Sequence, residues 1–165
     1  TSNPLVPLAN TLFTLNIDGV PFIDEPLSFE VIDGDHSNLR EFFDRFAKVN
    51  GIRVDDEEQQ ISEKFIRGDH YGFVQAGVPA FMIQEGRLPV NKTLEEYTRL
   101  KNFYAKNIYH SPFDDLNQFI NYEAVAGFQK MLFNFILFMD QEDDSPKIKR
   151  ESSYYSEYLR IRRGK

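Results

Sequence analysis

A run of apolar residues after Asn121 constrains this chain most: Val125, Phe128, Met131, Leu132, Phe135, Ile136 and Met139 recur at helical spacing. Together they cover more than the narrow stripe of a coiled-coil seam, so the helix they predict must be covered by something as broad as a sheet. Asn121 stands where it can cap the first turn. The rest of the chain supplies the sheet. Leu12, Phe13, Leu15 and Ile17 form a strand-like run over Thr11 to Ile17 that ends at Asp18-Gly19. Leu27, Phe29 and Val31 alternate with their neighbours after Pro26, which predicts a half-buried strand.

From Ser37 the period changes again. Leu39, Phe42, Phe43, Phe46 and Val49 are spaced for a helix, with Ser37 as its cap and Gly51 at its end. Ile52 to Val54 reads as a short strand before an acidic loop, Asp55 to Gln60. Asp69 is placed to cap a short helix reaching Ala76, and Gly77-Val78-Pro79 turns the chain into an inner strand at Ala80 to Gln84. Thr93 and Glu96 have capping-box spacing for a helix to about Tyr104. The Asn91-Lys92-Thr93 triplet also matches a glycosylation acceptor, although Thr93 serves the cap. Alternating strands and helices predict an α/β fold, a mixed central β-sheet flanked by helices, with ligands at strand C-terminal ends. Residues 1–140 form the body, and residues 141–165 a charged, peripheral C-terminal extension with a short helix around Tyr154 to Ile161.

Composition narrows the function. The 165 residues, 41% hydrophobic with 16 Phe and 8 Tyr, suffice for one core. There is no Cys, so any metal takes nitrogen and oxygen donors. Residues 147–165 hold seven Lys/Arg against two Glu, a net +5 that leaves −12 on the rest of a chain whose total is −7. An acidic body repels phosphate backbones, which argues against nucleic acid as a partner and favours cations. No apolar run approaches the ~20 residues of a membrane span. No nucleophile elbow, phosphate loop or dinucleotide glycine fingerprint is present. Thr1 in place of Met leads us to expect an upstream portion.

Three places carry residues suited to chemistry. Asp18, at a strand end, can present oxygen to a divalent cation, or it can be half of a turn-forming Asp-Gly pair. His110, directed into a turn by Ser111-Pro112, can ligate through one ring nitrogen or be an ordinary turn histidine. Beside it, Tyr109 can donate to a developing oxyanion or pack, and Asp114 can orient His110 or cap the segment after it. Arg67-Gly68-Asp69-His70 joins a cation, a flexible point, a carboxylate and an imidazole, serving either an active-site shell or a helix cap over a buried His70. His36, in Asp33-Gly34-Asp35-His36, reads as a loop residue.

Four ordered stretches resemble one family. Asn3-Pro4-Leu5-Val6-Pro7-Leu8-Ala9-Asn10-Thr11 leading to Asn16-Ile17-Asp18-Gly19, Arg67-Gly68-Asp69-His70-Tyr71-Gly72-Phe73, Ala76-Gly77-Val78-Pro79-Ala80 and Tyr109-His110-Ser111-Pro112-Phe113-Asp114 are similar to the C-terminal half of the co-catalytic di-zinc exopeptidases, metallopeptidase family 28. Bacterial leucyl-type aminopeptidases typify it, and glutamate carboxypeptidase, the transferrin-receptor ectodomain and glutaminyl cyclase are related. The resemblance covers roughly residues 1–140 and implies a zinc-exopeptidase (phosphorylase/hydrolase-like) architecture of which only the C-terminal part is present. It implies Asp18 as a ligand of one zinc, His110 as a ligand of the other, Tyr109 as a catalytic oxyanion donor, and Asp69, His70 and Asp114 as residues around the ligands. The family usually has Ser where Gly68 precedes Asp-His.

The family's remaining histidine, bridging aspartate and Glu-Glu pair match nothing here, which implies that they come from an N-terminal portion of the same protein and that the isolated segment is inactive. The implied activity is hydrolysis of N-terminal peptide bonds by a water activated between two zinc ions, with a peptide as substrate. A receptor-like binding module and a glutaminyl-cyclase-like acyltransferase are the alternatives on the same scaffold. The resemblance favours a secreted, periplasmic or cell-envelope location. Residues 86–108, the long connection before His110, are expected to wall the substrate pocket.

Overall fold

A computed structural model describes residues 3–19, 23–55 and 61–163. Among these, β1 (Thr14–Asn16), β2 (Ser28–Ile32), β3 (Arg53–Val54) and β4 (Ala80–Glu85) form one sheet in the order β1-β4-β2-β3. β1 runs parallel to β4, with Thr14 opposite Ala80, while β2 is antiparallel to β4 and parallel to β3. The mixed sheet flanked by helices is the architecture expected. The C-terminal ends of β1 and β4 therefore open on the same edge of the sheet, where Asp18 and Glu85 stand.

Alternation along β4 divides the core. Phe81 and Ile83 join Phe29 and Val31 beneath α1 (Leu39–Asn50) and α5 (Tyr122–Asp140), whereas Ala80 and Met82 join Ile32, Phe65, Val74 and Ile148 on the other face. β2 is thus buried on both sides, not half-buried as its sequence suggests. Its alternating pattern ranks residues by polarity, but Ser28 is buried because it donates to Asp55 at 2.9 Å and accepts from the Leu88 amide at 3.2 Å. The buried seam of α5 is narrower than its apolar width predicts: Phe128, Leu132, Phe135 and Met139 are buried, Val125 and Met131 partly so, and Ile136 is exposed. Phe135 is fully buried and meets Phe13, Phe43, Phe46 and Phe81 at ring separations of 5.3–6.5 Å.

Local caps form where their spacing places them. Asn121 Oδ1 accepts from the Ala124 amide at 3.1 Å, and Thr93 Oγ1 from the Glu96 amide at 3.2 Å. Ser37 Oγ accepts from Leu39 N at 3.3 Å, although Asn38 is the boundary residue of α1. α2 (Ile61–Arg67), which the apolar spacing does not predict, precedes α3 (Tyr71–Gln75). Asp69 caps neither. The boundary residue of α3 is His70, in helical backbone conformation, without a side-chain cap. The connection from 86 to 108 is mostly α4 (Leu94–Asn107). Past Asp55, the expected acidic loop lies outside the described residues.

Residues 141–163, set apart by charge in the sequence, pack on the body. Ile148 is buried, α6 (Tyr155–Arg163) crosses Gly77, and a Cβ on Gly77 would collide with the Glu157 backbone at 2.5 Å. Arg162 ties the segment to the start of the chain, donating to the carbonyls of Ala9 at 2.7 Å and Thr11 at 2.9 Å. No helix of the described residues is long and apolar enough to cross a membrane.

Candidate active site

Asp18 follows β1 by two residues and is exposed, as a carboxylate offered to a ligand must be. It lines two cavities. One, of about 440 Å³, also takes Glu63, Lys64, Arg67, Gly68, Met82, Gln84 and Tyr109. The other, of about 350 Å³, adds Glu85, Lys101, Tyr104 and Gln118. Tyr109 faces both, so the strand-end carboxylate and the phenol 91 positions later share one cleft.

The turn carrying Tyr109 is built by its own polar residues. The amides of Ile108 and Tyr109 both donate to the Tyr104 carbonyl at 2.9 Å, ending α4. His110 then adopts φ 56°, the left-handed region that a β-carbon disfavours. Asp114 holds that conformation by accepting from the His110 amide at 3.2 Å, and it accepts from Gln118 Nε2 at 3.0 Å. It therefore orients the His110 backbone, and the imidazole is placed by stacking on Tyr109, 3.8 Å between ring centroids and 21° between planes. His110 is exposed.

His70 is fully buried. Asn16 Nδ2 lies 3.4 Å from its Nδ1, and since an amide nitrogen can only donate, Nδ1 accepts and the ring proton sits on Nε2. That Nε2 is buried without a hydrogen-bond partner among the described residues. Burial holds the His70 pKa below its ordinary value, against the opposite pull of Asp69 and Asp18, so it is a neutral ring beneath the Asp18 strand end. Gly68 makes room for it, since a Cβ there would overlap the His70 ring. Asp69 itself is exposed in the turn between α2 and α3.

The cleft floor is a charged network at the ends of β2 and β4. Gln84 and Lys64 both bind Glu30, the latter at 2.9 Å, and Glu85 accepts from Tyr97 Oη at 2.7 Å and pairs with Lys101 at 2.9 Å. Burial, reinforced by Glu85, pushes the Tyr97 phenol far up, so it stays a donor at every physiological pH. Gln84, Lys101, Tyr104 and Gln118 were not among the residues singled out by sequence. The end of an inner strand signals Gln84, and Lys101 and Tyr104 fall within the 86–108 connection expected to wall the pocket, whereas no signal marks Gln118.

Asp18 lines the cleft, whereas His110 is in the lining of none of the cavities described and adjoins the cleft only by its stack on Tyr109; carboxylate oxygen and imidazole nitrogen are donor types zinc takes. In kind they fit. Among the described residues no three His, Cys, Asp or Glu side chains gather as a metal-binding group.

A mixed sheet flanked by helices, with a strand-end carboxylate and a histidine-bearing turn beside one open cleft, defines an α/β scaffold with a candidate site at the strand ends. The chain belongs to peptidase family M28, whose family model matches residues 1–136. Membership of that family suggests zinc-dependent peptidase activity. No curated protein and no solved structure matches it.

Proposed function

We propose that this chain forms the C-terminal half of the catalytic domain of a zinc-dependent aminopeptidase of the leucyl type. Asp18 and His110 would each hold one of two zinc ions. Tyr109 would donate to the oxygen that gains negative charge, while Asp69, His70 and Asp114 keep the ligands in place. The observation that carries the reading is the shared cleft, since Asp18 and Tyr109 line the same two cavities and the His110 ring lies flat on Tyr109. Held by Asp18 and His110, zinc would supply Lewis-acid chemistry there, a bound water of lowered pKa and polarisation of the scissile carbonyl.

The chain's own residues then have separable tasks. Asp18 contributes charge from a position fixed by β1 pairing with β4. His110 contributes an imidazole nitrogen from a turn fixed by Asp114. The buried, uncharged His70 packs beneath Asn16 without adding a cation that would compete with a metal. Catalytic zinc takes three protein ligands and an open position, so the remaining donors are assigned to the N-terminal portion of the same protein, and the isolated segment is inactive.

Hydrolysis of leucine 4-nitroanilide by the full-length protein in zinc buffer tests this. Asp18→Ala and His110→Ala should each lower kcat/KM by at least about 100-fold, and Tyr109→Phe by about 10- to 100-fold, chiefly in kcat. Wild-type rates in the first two variants would refute the reading.

A further inference from the structure

Arg67 opens the Arg67-Gly68-Asp69-His70 stretch, and it is the member to which the proposed chemistry gives no task. It closes α2. Its backbone is pinned from both sides, because Phe65 and His70 are buried and a Cβ on Gly68 would stand 2.3 Å from the His70 ring. From that anchor the exposed side chain lines the cavity of about 440 Å³ that Asp18 and Tyr109 border.

Lys64 is the other cation in that lining, and Glu30 engages it at 2.9 Å. Arg67 has no hydrogen bond, ion pair or ring contact among the described residues. Neither Asp18 nor Glu63, the carboxylates lining the same cavity, lies within ion-pair distance of it. An arginine on a convex surface without a partner is simply solvated. This one is set in a concave wall that it shares with a phenol donor, and its guanidinium presents five N–H groups in a planar fork that matches an oxygen anion.

Peptide hydrolysis creates such an anion. When the water oxygen bonds to the carbonyl carbon, the C=O electron pair moves onto the carbonyl oxygen. Its return expels the amine, whose nitrogen takes the proton that the water has lost. A donor that meets the charged oxygen more strongly than the neutral one raises kcat. We propose that Arg67 is a second such donor beside Tyr109: its guanidinium bonds the scissile carbonyl oxygen and stabilises the charge that gathers there. The proposal rests on the aminopeptidase reading. Arg67 moves no proton, and it brings a full positive charge to the oxygen where the phenol brings a dipole.

The test measures kcat and KM of the zinc-loaded, full-length protein on leucine 4-nitroanilide, which has no carboxylate, and on the dipeptide Leu-Gly, which has one. Arg67→Met should lower kcat about 100-fold on both, the loss expected for one oxyanion donor, and change KM by less than about 3-fold. Arg67→Lys should lose less, because the ammonium keeps the charge but not the fork. Millimolar guanidinium chloride should recover part of the lost kcat in Arg67→Ala and leave the wild type unchanged, since the exposed position admits the small cation. Wild-type kcat in Arg67→Met, or a loss that guanidinium does not repair, would overturn the proposal and leave the peptidase reading standing. A rise in KM confined to Leu-Gly, with kcat intact, would overturn it in favour of a site for the substrate's terminal carboxylate. If the wild type hydrolyses neither substrate, the peptidase reading fails instead, and Arg67 is judged by calorimetric titration with 1-amino-3-methylbutylphosphonic acid, a stable tetrahedral anion. A loss of affinity of at least about 10-fold in Arg67→Met then sustains the guanidinium as the anion donor of the cleft, and equal affinities, or no binding by either protein, reject it.

Discussion

His110 is held where side chains are disfavoured, and the energy that holds it comes from its neighbours. Left-handed backbone costs a residue with a β-carbon about 1–2 kcal/mol, so His110→Gly should leave stability unchanged or raise it by up to about 1 kcal/mol while abolishing any ligation through the imidazole. Denaturant unfolding beside zinc titration of the full-length protein checks both halves. Gly68 is the opposite case. Its α-hydrogen faces the buried His70 ring, and Gly68→Ala should destabilise by about 1–3 kcal/mol, the range for overpacking a tight interior. His36 links structure to pH. It packs between Phe65 and Tyr154, and burial lowers its pKa, with Lys149 acting in the same direction against Asp33 and Asp35. The unfolded chain then binds the proton more readily, so stability is complete above the ordinary imidazole value of about 6.5 and falls as pH drops through it. His70 has the same sign, whereas buried Asp33, whose pKa is raised, offsets part of the loss lower down, in the carboxyl range. The thermal midpoint should fall between pH 7 and 5.5, and by less in His36→Gln.

At the scale of elements, what was legible was what is local. The caps at Thr93 and Asn121 depend on residues three apart, and both helices begin there. The apolar seam of α5 packs into the core through Phe128, Leu132, Phe135 and Met139, whereas Ile136, which the same spacing placed inside, is exposed. What needed distant partners could not be read. Polarity at Ser28 and Glu30 suggested a solvent face for β2, but Asp55, Gln84 and Lys64 reach across from other elements to meet those side chains. The candidate site divides in the same way. A strand end at Asp18 and a histidine turn at His110 are local features. The sharing of their cleft by Gln84, Tyr104 and Gln118 follows from the parallel pairing of β1 with β4 and the path of α4, which no short segment encodes. The aromatic cluster of α5 gives this scale its test. Phe135→Ala should cost about 3–5 kcal/mol, since four further aromatic rings would border the cavity left behind, and a loss below about 1 kcal/mol would contradict the packing described.

For the whole molecule, the segment beyond the family match acts as a fastening. Ile148, Tyr154 and Tyr158 complete the core on one face of the sheet, and Arg162 binds carbonyls just ahead of β1, the strand that presents Asp18. Arg162→Ala should therefore destabilise by about 1–3 kcal/mol, from two charge-assisted hydrogen bonds. Charge composition separated this segment from the body, but the contacts that fasten it are made by single residues too sparse to form a pattern. The claim on which the functional account rests is that the β1 end and the Tyr109-His110 turn present donors to metal in one cleft. Anomalous X-ray scattering at the zinc edge, from crystals of the full-length protein, tests it most directly. The account predicts zinc about 2.0–2.2 Å from an Asp18 carboxylate oxygen and zinc about 2.0–2.1 Å from a His110 ring nitrogen, the ordinary bond lengths for these donors. Zinc peaks remote from both residues, or none in zinc-saturated crystals, would contradict it.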